Sequence, residues 1–188
     1  MAVKTMAKNT GSGQYTEGWH ELTISKATDG NWNDKRVIDL NFEDYNEHMK
    51  HRIFETHNGT SGEEFKIANL FRYACAGILG VLNDPTGKNP VIQYDDEVIN
   101  LVGTRVNALF VKKLNSETDK EYVEIYDLVP VVQETEHLTY TEDDVARMKA
   151  RVEKRHSTVK NTNNNVVGTV TTDTTTTTTA GTDAEIPF

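Results

Sequence analysis

The stretch HRIFETHNGTSGEEFKIANLFRYACAGILGVL, residues 51–82, changes its hydrophobic period part-way along. Its first six residues alternate and read as a short strand, with Phe54 on the face of Arg52 and Lys50 rather than that of Ile53. From Ser61 onward, Phe65, Ala68, Phe71, Cys75, Ile78 and Leu79 recur at helical spacing. This predicts a helix over residues 61–82, opened by a Ser61/Glu64 capping box. Upstream lie two more alternating runs. GWHELTISKA (residues 18–27) sets Leu22 and Ile24 against Trp19, Glu21 and Thr23, and RVIDLNF (36–42) sets Ile38, Leu40 and Phe42 against Val37, Asp39 and Asn41. Between them TDGNWNDK (28–35) is dense in turn formers and places Trp32 in a loop.

Downstream, NDPTGKNP (83–90) breaks the helix, and a short acidic helix over residues 95–102 stops at Gly103. RVNALFVKKL (105–114) and KEYVEIYDLVPVV (120–132) read as strands joined by the hairpin loop NSETD. Residues 141–155 form a helix with acids first and bases last, matching the helix dipole. The order is β-β-β-α-β-β. It predicts a mainly β protein, a five-stranded OB-fold barrel with a helix between strands three and four. An open α+β sheet is the alternative that element order leaves standing. The expected organisation is a flexible arm (1–14), the OB-fold domain (15–135), a C-terminal helix (136–156), a disordered Thr/Asn-rich linker (157–182) and an acidic tip (183–188).

A chain of 188 residues with 36% hydrophobic content fits one domain plus appendages. The single cysteine, Cys75, excludes an internal disulfide and fits a reducing cytosol. No apolar run is long enough to span a bilayer, and residues 1–13 lack the apolar centre of a signal peptide, so the expectation is a cytoplasmic protein with no membrane partner. The net charge of −9 argues against nucleic acid unless cations are gathered locally.

His48, His51 and His57 lie close in sequence but match no zincin pattern, and no phosphate loop or nucleophile elbow is present. No catalytic residue, metal or cofactor is therefore expected. Phe42, Phe65, Phe71 and Phe110 fall on apolar faces and are assigned to the core. Trp19, Trp32 and Phe54 fall outside it. An exposed aromatic beside a cation is the unit that stacks a base and neutralises its phosphate. Lys26, Lys35 and Arg36 flank the first loop, Lys50 and Arg52 open the third strand, and Lys112, Lys113 and Lys120 flank the last hairpin. In an OB-fold those loops bracket the ligand cleft, with the acids, notably residues 95–97 and Glu63 and Glu64, elsewhere.

Residues 157–181 carry no core-forming pattern, and about thirty flexible residues reach roughly 30 Å. At the tip, Asp183 and Glu185 would meet basic residues, Ile186 and Phe188 would enter an apolar pocket, and Pro187 lowers the cost of ordering. The sequence DAEIPF resembles the acidic Ile-Pro-Phe ending of bacterial and phage single-stranded-DNA-binding proteins, with Ala184 where an acid is usual. GWHELTISKATDG, RVIDLNFEDYN and YVEIYDLVPVV are similar to small phage-encoded members of that class. The resemblance implies an OB-fold that shields single-stranded DNA in replication, recombination or repair in an infected host cell. It implies a tip that recruits replication and recombination proteins and competes with DNA for the basic groove. A protein- or oligosaccharide-binding OB module and a small metal-dependent nuclease are the alternatives, and homo-oligomerisation is left open.

Overall fold

The computed structural model describes residues 15–82 and 91–164. The arm over residues 1–14, most of the linker and the tip over 183–188 lie outside the described residues.

The chain is mainly β. Five strands form one antiparallel sheet: β1 (Gly18–Trp32), β2 (Lys35–Phe42), β3 (His51–Phe54), β6 (Arg105–Leu114) and β7 (Glu121–Pro130), in the order β3-β2-β1-β6-β7. Two small hairpins, β4 (Ile78–Leu82) with β5 (Val91–Tyr94) and β8 (Gln133–Glu134) with β9 (Thr139–Tyr140), stand apart from it. The helices are α1 (Lys66–Ala74) and α2 (Glu142–Asn164).

β1 organises the sheet. Its first half pairs with β6, from Gly18↔Phe110 to Thr23↔Arg105, and its second half pairs with β2, from Lys26↔Asn41 to Trp32↔Lys35. A bulge between Ile24 and Lys26 separates the halves and re-aims the strand. The β1–β2 connection is only Asn33-Asp34, both at positive φ (50° and 61°), which is the tight turn that matches strand twist. Trp32 is therefore the last residue of a strand and not part of a loop.

One face of the sheet carries the main core. Ile24, Ile38, Leu40 and Phe42 pack there with Val106, Ala108 and Phe110, and α1 covers them with Ile67, Leu70, Phe71 and Ala74. Phe42, Phe71 and Phe110 are buried as the sequence predicts, but Phe65 is 42% exposed. The expected closed barrel is not formed: β3 and β7 are the two edges of the sheet, and no ladder joins them among the described residues. α1 packs against both edges instead.

The helix expected over residues 61–82 is less than half that length. Its cap is the Glu64 carboxylate, which accepts from the N–H of Ile67 (2.8 Å) and of Ala68 (2.9 Å), while the Ser61 hydroxyl donates to Glu63 instead. Cys75 turns left-handed at φ 50° and ends α1, and Gly77 at φ 62° leads into β4. Apolar residues at 78, 79, 81 and 82 suit either period, and the backbone break decides for the strand. The acidic helix is likewise reduced to one 3-10 turn, Val98–Leu101. The hairpin loop at 115–119 closes as the sequence predicts, the Asn115 N–H donating to Lys120 O (3.0 Å).

α2 begins with a reciprocal cap, Thr141 N–H to the Asp144 carboxylate and Asp144 N–H to the Thr141 hydroxyl, each 3.2 Å. It runs on to Asn164, so residues 157–164 are helical rather than linker. Val152 and Met148 pack it on the opposite face of the sheet, over Leu109, Val111, Val129, Trp19 and Tyr126. No helix among the described residues is long and apolar enough to cross a membrane.

Candidate functional site

α2 covers only half of its sheet face. Cross-strand partners share a face, so Trp32↔Lys35, Gly30↔Val37, Val37↔Phe54, Thr28↔Asp39 and Asp39↔Arg52 place Trp32, Lys35, Phe54 and Arg52 together on the half formed by β3, β2 and the end of β1. Trp32 is 54% exposed and Phe54 38%. The Arg52 guanidinium lies 5.4 Å from the centre of the Trp32 ring. Asp39 holds it there through two bonds, from Nε (2.6 Å) and Nη2 (2.8 Å). Arg52, with Lys50 adding to it, keeps the Asp39 carboxyl below the usual carboxylate range. A pinned cation, a half-exposed indole and a half-exposed phenyl ring thus lie on one sheet surface.

The other expected cations are dispersed. Arg36 is taken up by Asp29 and Asp96, and the Asp29 hydrogen bond is the first cause that raises its pKa above the ordinary value. The acids of residues 95–97 are therefore not remote from the expected site, because β5 returns Asp96 to the start of β2. Lys113 pairs with Glu124 and Lys112 with Glu121 (3.6 Å) across the β6–β7 hairpin. Those lysines lie beyond the first residue of β1 in register, whereas Trp32 ends it. Lys26, Lys35, Lys50 and Lys120 are exposed and join no ion pair among the described residues. Trp19 sits under α2: its indole N–H donates to Glu153 (2.7 Å), and Lys149 lies 5.2 Å from the ring centre.

A groove of about 1090 Å³ adjoins the bare half-face at β3, running between the two sheet edges and bordered by α1 and α2. Arg52 and Phe54 belong to both surfaces. The sequence reading missed the rest. Lys66, Arg72, Arg151, Lys154 and Arg155 bring the groove to six Lys or Arg, against one carboxylate, Asp127. The whole chain holds 20 Lys+Arg and 29 Asp+Glu, so the groove inverts the overall balance. Phe65, just before α1, and Tyr73 within it add rings, and Tyr126 adds one from β7. Helical spacing could have shown part of this, since 66, 69 and 73 form one stripe and 151, 154, 155 and 158 another, but not that the two stripes face one cleft. His51, also in the groove wall, has its pKa lowered to about 4 by desolvation and by Lys66, so it is neutral at pH 7.

His57 is engaged by Glu55 (3.0 Å) and by the Gly62 carbonyl (3.0 Å). Among the described residues, no group of three or more His, Cys, Asp and Glu side chains is placed to hold a metal ion. No protein-family model matches the chain, and no curated protein matches it.

Proposed function

We propose that this chain is a sequence-independent single-stranded-DNA-binding protein, acting in replication, recombination or repair, with an OB-type arrangement of its five main strands. The observation that carries the reading is the Trp32–Arg52–Phe54 cluster on the uncovered half-face. Unpaired bases stack on exposed rings, and a guanidinium beside them meets phosphate or a base face. The strand order, with α1 between β3 and the β6–β7 pair, supports the OB-type reading. A negatively charged chain that gathers six cations in one groove meets the electrostatic objection raised by its net charge. Recruitment of partner proteins rests on the sequence of residues 183–188 alone.

The experiment is a competition between oligodeoxythymidylate and duplex DNA at matched salt. Single strands should bind at least about tenfold tighter, because duplex bases are already stacked on one another. Equal affinity for the two forms would remove stacking from the mechanism. One feature favours a protein-binding role alongside: the β4–β5 hairpin leaves Leu79, Leu82 and Val91 exposed and carries no charge among its strand residues. Retention by a protein partner with no binding to oligonucleotide would favour that reading.

A further inference from the structure

The groove between α1 and α2 starts at β3 and extends past the three β strands on which the functional reading stands, and its chemistry has a direction. On α2, residues 151, 154, 155 and 158 recur at i, i+3, i+4 and i+7, so Arg151, Lys154, Arg155 and Thr158 form one stripe along the groove. On α1, Lys66, Asn69 and Tyr73 form the bordering stripe at i, i+3 and i+7. Asp127 pairs with Arg155 at 2.8 Å, which neutralises one of these cations. No carboxylate pairs with Lys66, Arg72, Arg151 or Lys154 among the described residues. The Nε–H of Arg72 is buried with no hydrogen-bond partner among the described residues, and its guanidinium lies 5.2 Å from the centre of the Tyr73 ring.

An acidic peptide and a nucleic acid would both answer the charge. Two features favour the nucleic acid. Phe54 and Phe65, both more than a third exposed, stand among the lining residues, giving ring surface beside the cations. The groove is also continuous with the Trp32 cluster, because Arg52 and Phe54 belong to both surfaces.

Building on the single-strand reading, we infer that DNA leaving the β1–β3 face passes Phe54 into this groove, so that α2, a helix outside the five-stranded sheet, clamps its phosphates through Arg151 and Lys154 while Lys66 and Arg72 hold the opposite side. The helix that hides Trp19 thereby becomes part of the binding surface. The DNA path then spans the gap between the two sheet edges, where an uninterrupted barrel wall would otherwise stand.

The test is the salt dependence of oligodeoxythymidylate binding by the full chain, comparing the unaltered protein with Arg151→Gln/Lys154→Gln. Glutamine keeps the helix propensity, and thermal melting checks the fold. Removing two phosphate contacts should reduce the slope of log K against log salt by about 1.4, since each contact to a single strand contributes about 0.7. The quenching of Trp32 at saturation should be retained, because the stacking surface is untouched. Arg147→Gln lies on the same helix but does not line the groove, and it should leave the slope unchanged. An unchanged slope in the double variant overturns the inference, leaves the sheet-face reading in place, and makes an acidic peptide the better occupant. A protein that fails to bind the oligomer at all removes both.

Discussion

Gly77→Ala is expected to destabilise the fold by about 2–5 kcal/mol, combining the cost of a left-handed backbone for an L-residue with that of overpacking. Gly77 has φ 62°, and a Cβ built there would lie 2.3 Å from the carbonyl oxygen of Asp95 and 2.9 Å from the Asn100 amide nitrogen. The Asn100 side chain can move. The Asp95 carbonyl cannot easily do so, because the Asp95 N–H donates to the Gly77 carbonyl at 2.8 Å and locks the two segments together. This contact joins the end of α1 to the end of β5, and so places both the β4–β5 hairpin and Asp96. Gly80→Ala is the matched control: among the described residues no atom lies within 4 Å of its Cβ position, and its φ is ordinary. Urea unfolding of the two variants measures the difference. A loss at Gly77 no larger than that at Gly80 would mean the Asp95 segment gives way freely.

Trp32→Ala is expected to weaken single-strand binding by about 1–3 kcal/mol, roughly 5- to 150-fold, with little change in stability. The ring is more than half exposed, so its removal opens no cavity. Arg52 stays in place after the substitution, since Asp39 rather than Trp32 supplies its hydrogen bonds. The loss would therefore report the ring itself. Trp32→Phe should recover most of the affinity, because a phenyl ring still offers a stacking face. Titration of the three forms with oligodeoxythymidylate, alongside their unfolding curves, separates binding from folding. A loss within error for Trp32→Ala would assign the indole to covering Val37 and the hairpin end.

The five strands of the main sheet were legible in the sequence because alternation marks them, with Ile38, Leu40 and Phe42 going to the core and Val37, Asp39 and Asn41 to the other face, whereas the short β5, β8 and β9 carry too few residues to show a period. The hairpin at 115–119 was legible for the same reason. The C-terminal half of the 61–82 helix was not. Cys75 and Gly77 end it through backbone conformation, and hydrophobic spacing is blind to φ. Trp32 looked like a loop residue because six turn formers surround it, yet Asn33 and Asp34 complete the turn between them. Of the site, the Arg52–Phe54 face followed from period two. The groove cations did not, because Lys66 and Arg72 come from α1, Arg151 and Lys154 from α2, and only the tertiary packing brings the two helices to one cleft. The capture of Arg36 was hidden for the same reason, since Asp96 meets it across sixty residues of chain, whereas Lys112 and Lys113 pair with Glu121 and Glu124 across a hairpin that the sequence did show.

The central claim is that single-stranded DNA stacks on the uncovered half of the outer sheet face, and the two tryptophans of the chain report on its two halves. Trp32 stands on the bare half, and Trp19 is bonded to Glu153 beneath α2. The direct measurement is the intrinsic fluorescence of Trp19→Phe, which leaves Trp32 as the only indole, and of Trp32→Phe, which leaves Trp19, each titrated with oligodeoxythymidylate at low salt. The account predicts strong, saturable quenching in Trp19→Phe and little in Trp32→Phe. Quenching of Trp19 with Trp32 unchanged would contradict it, and would place the DNA on the half-face that α2 covers.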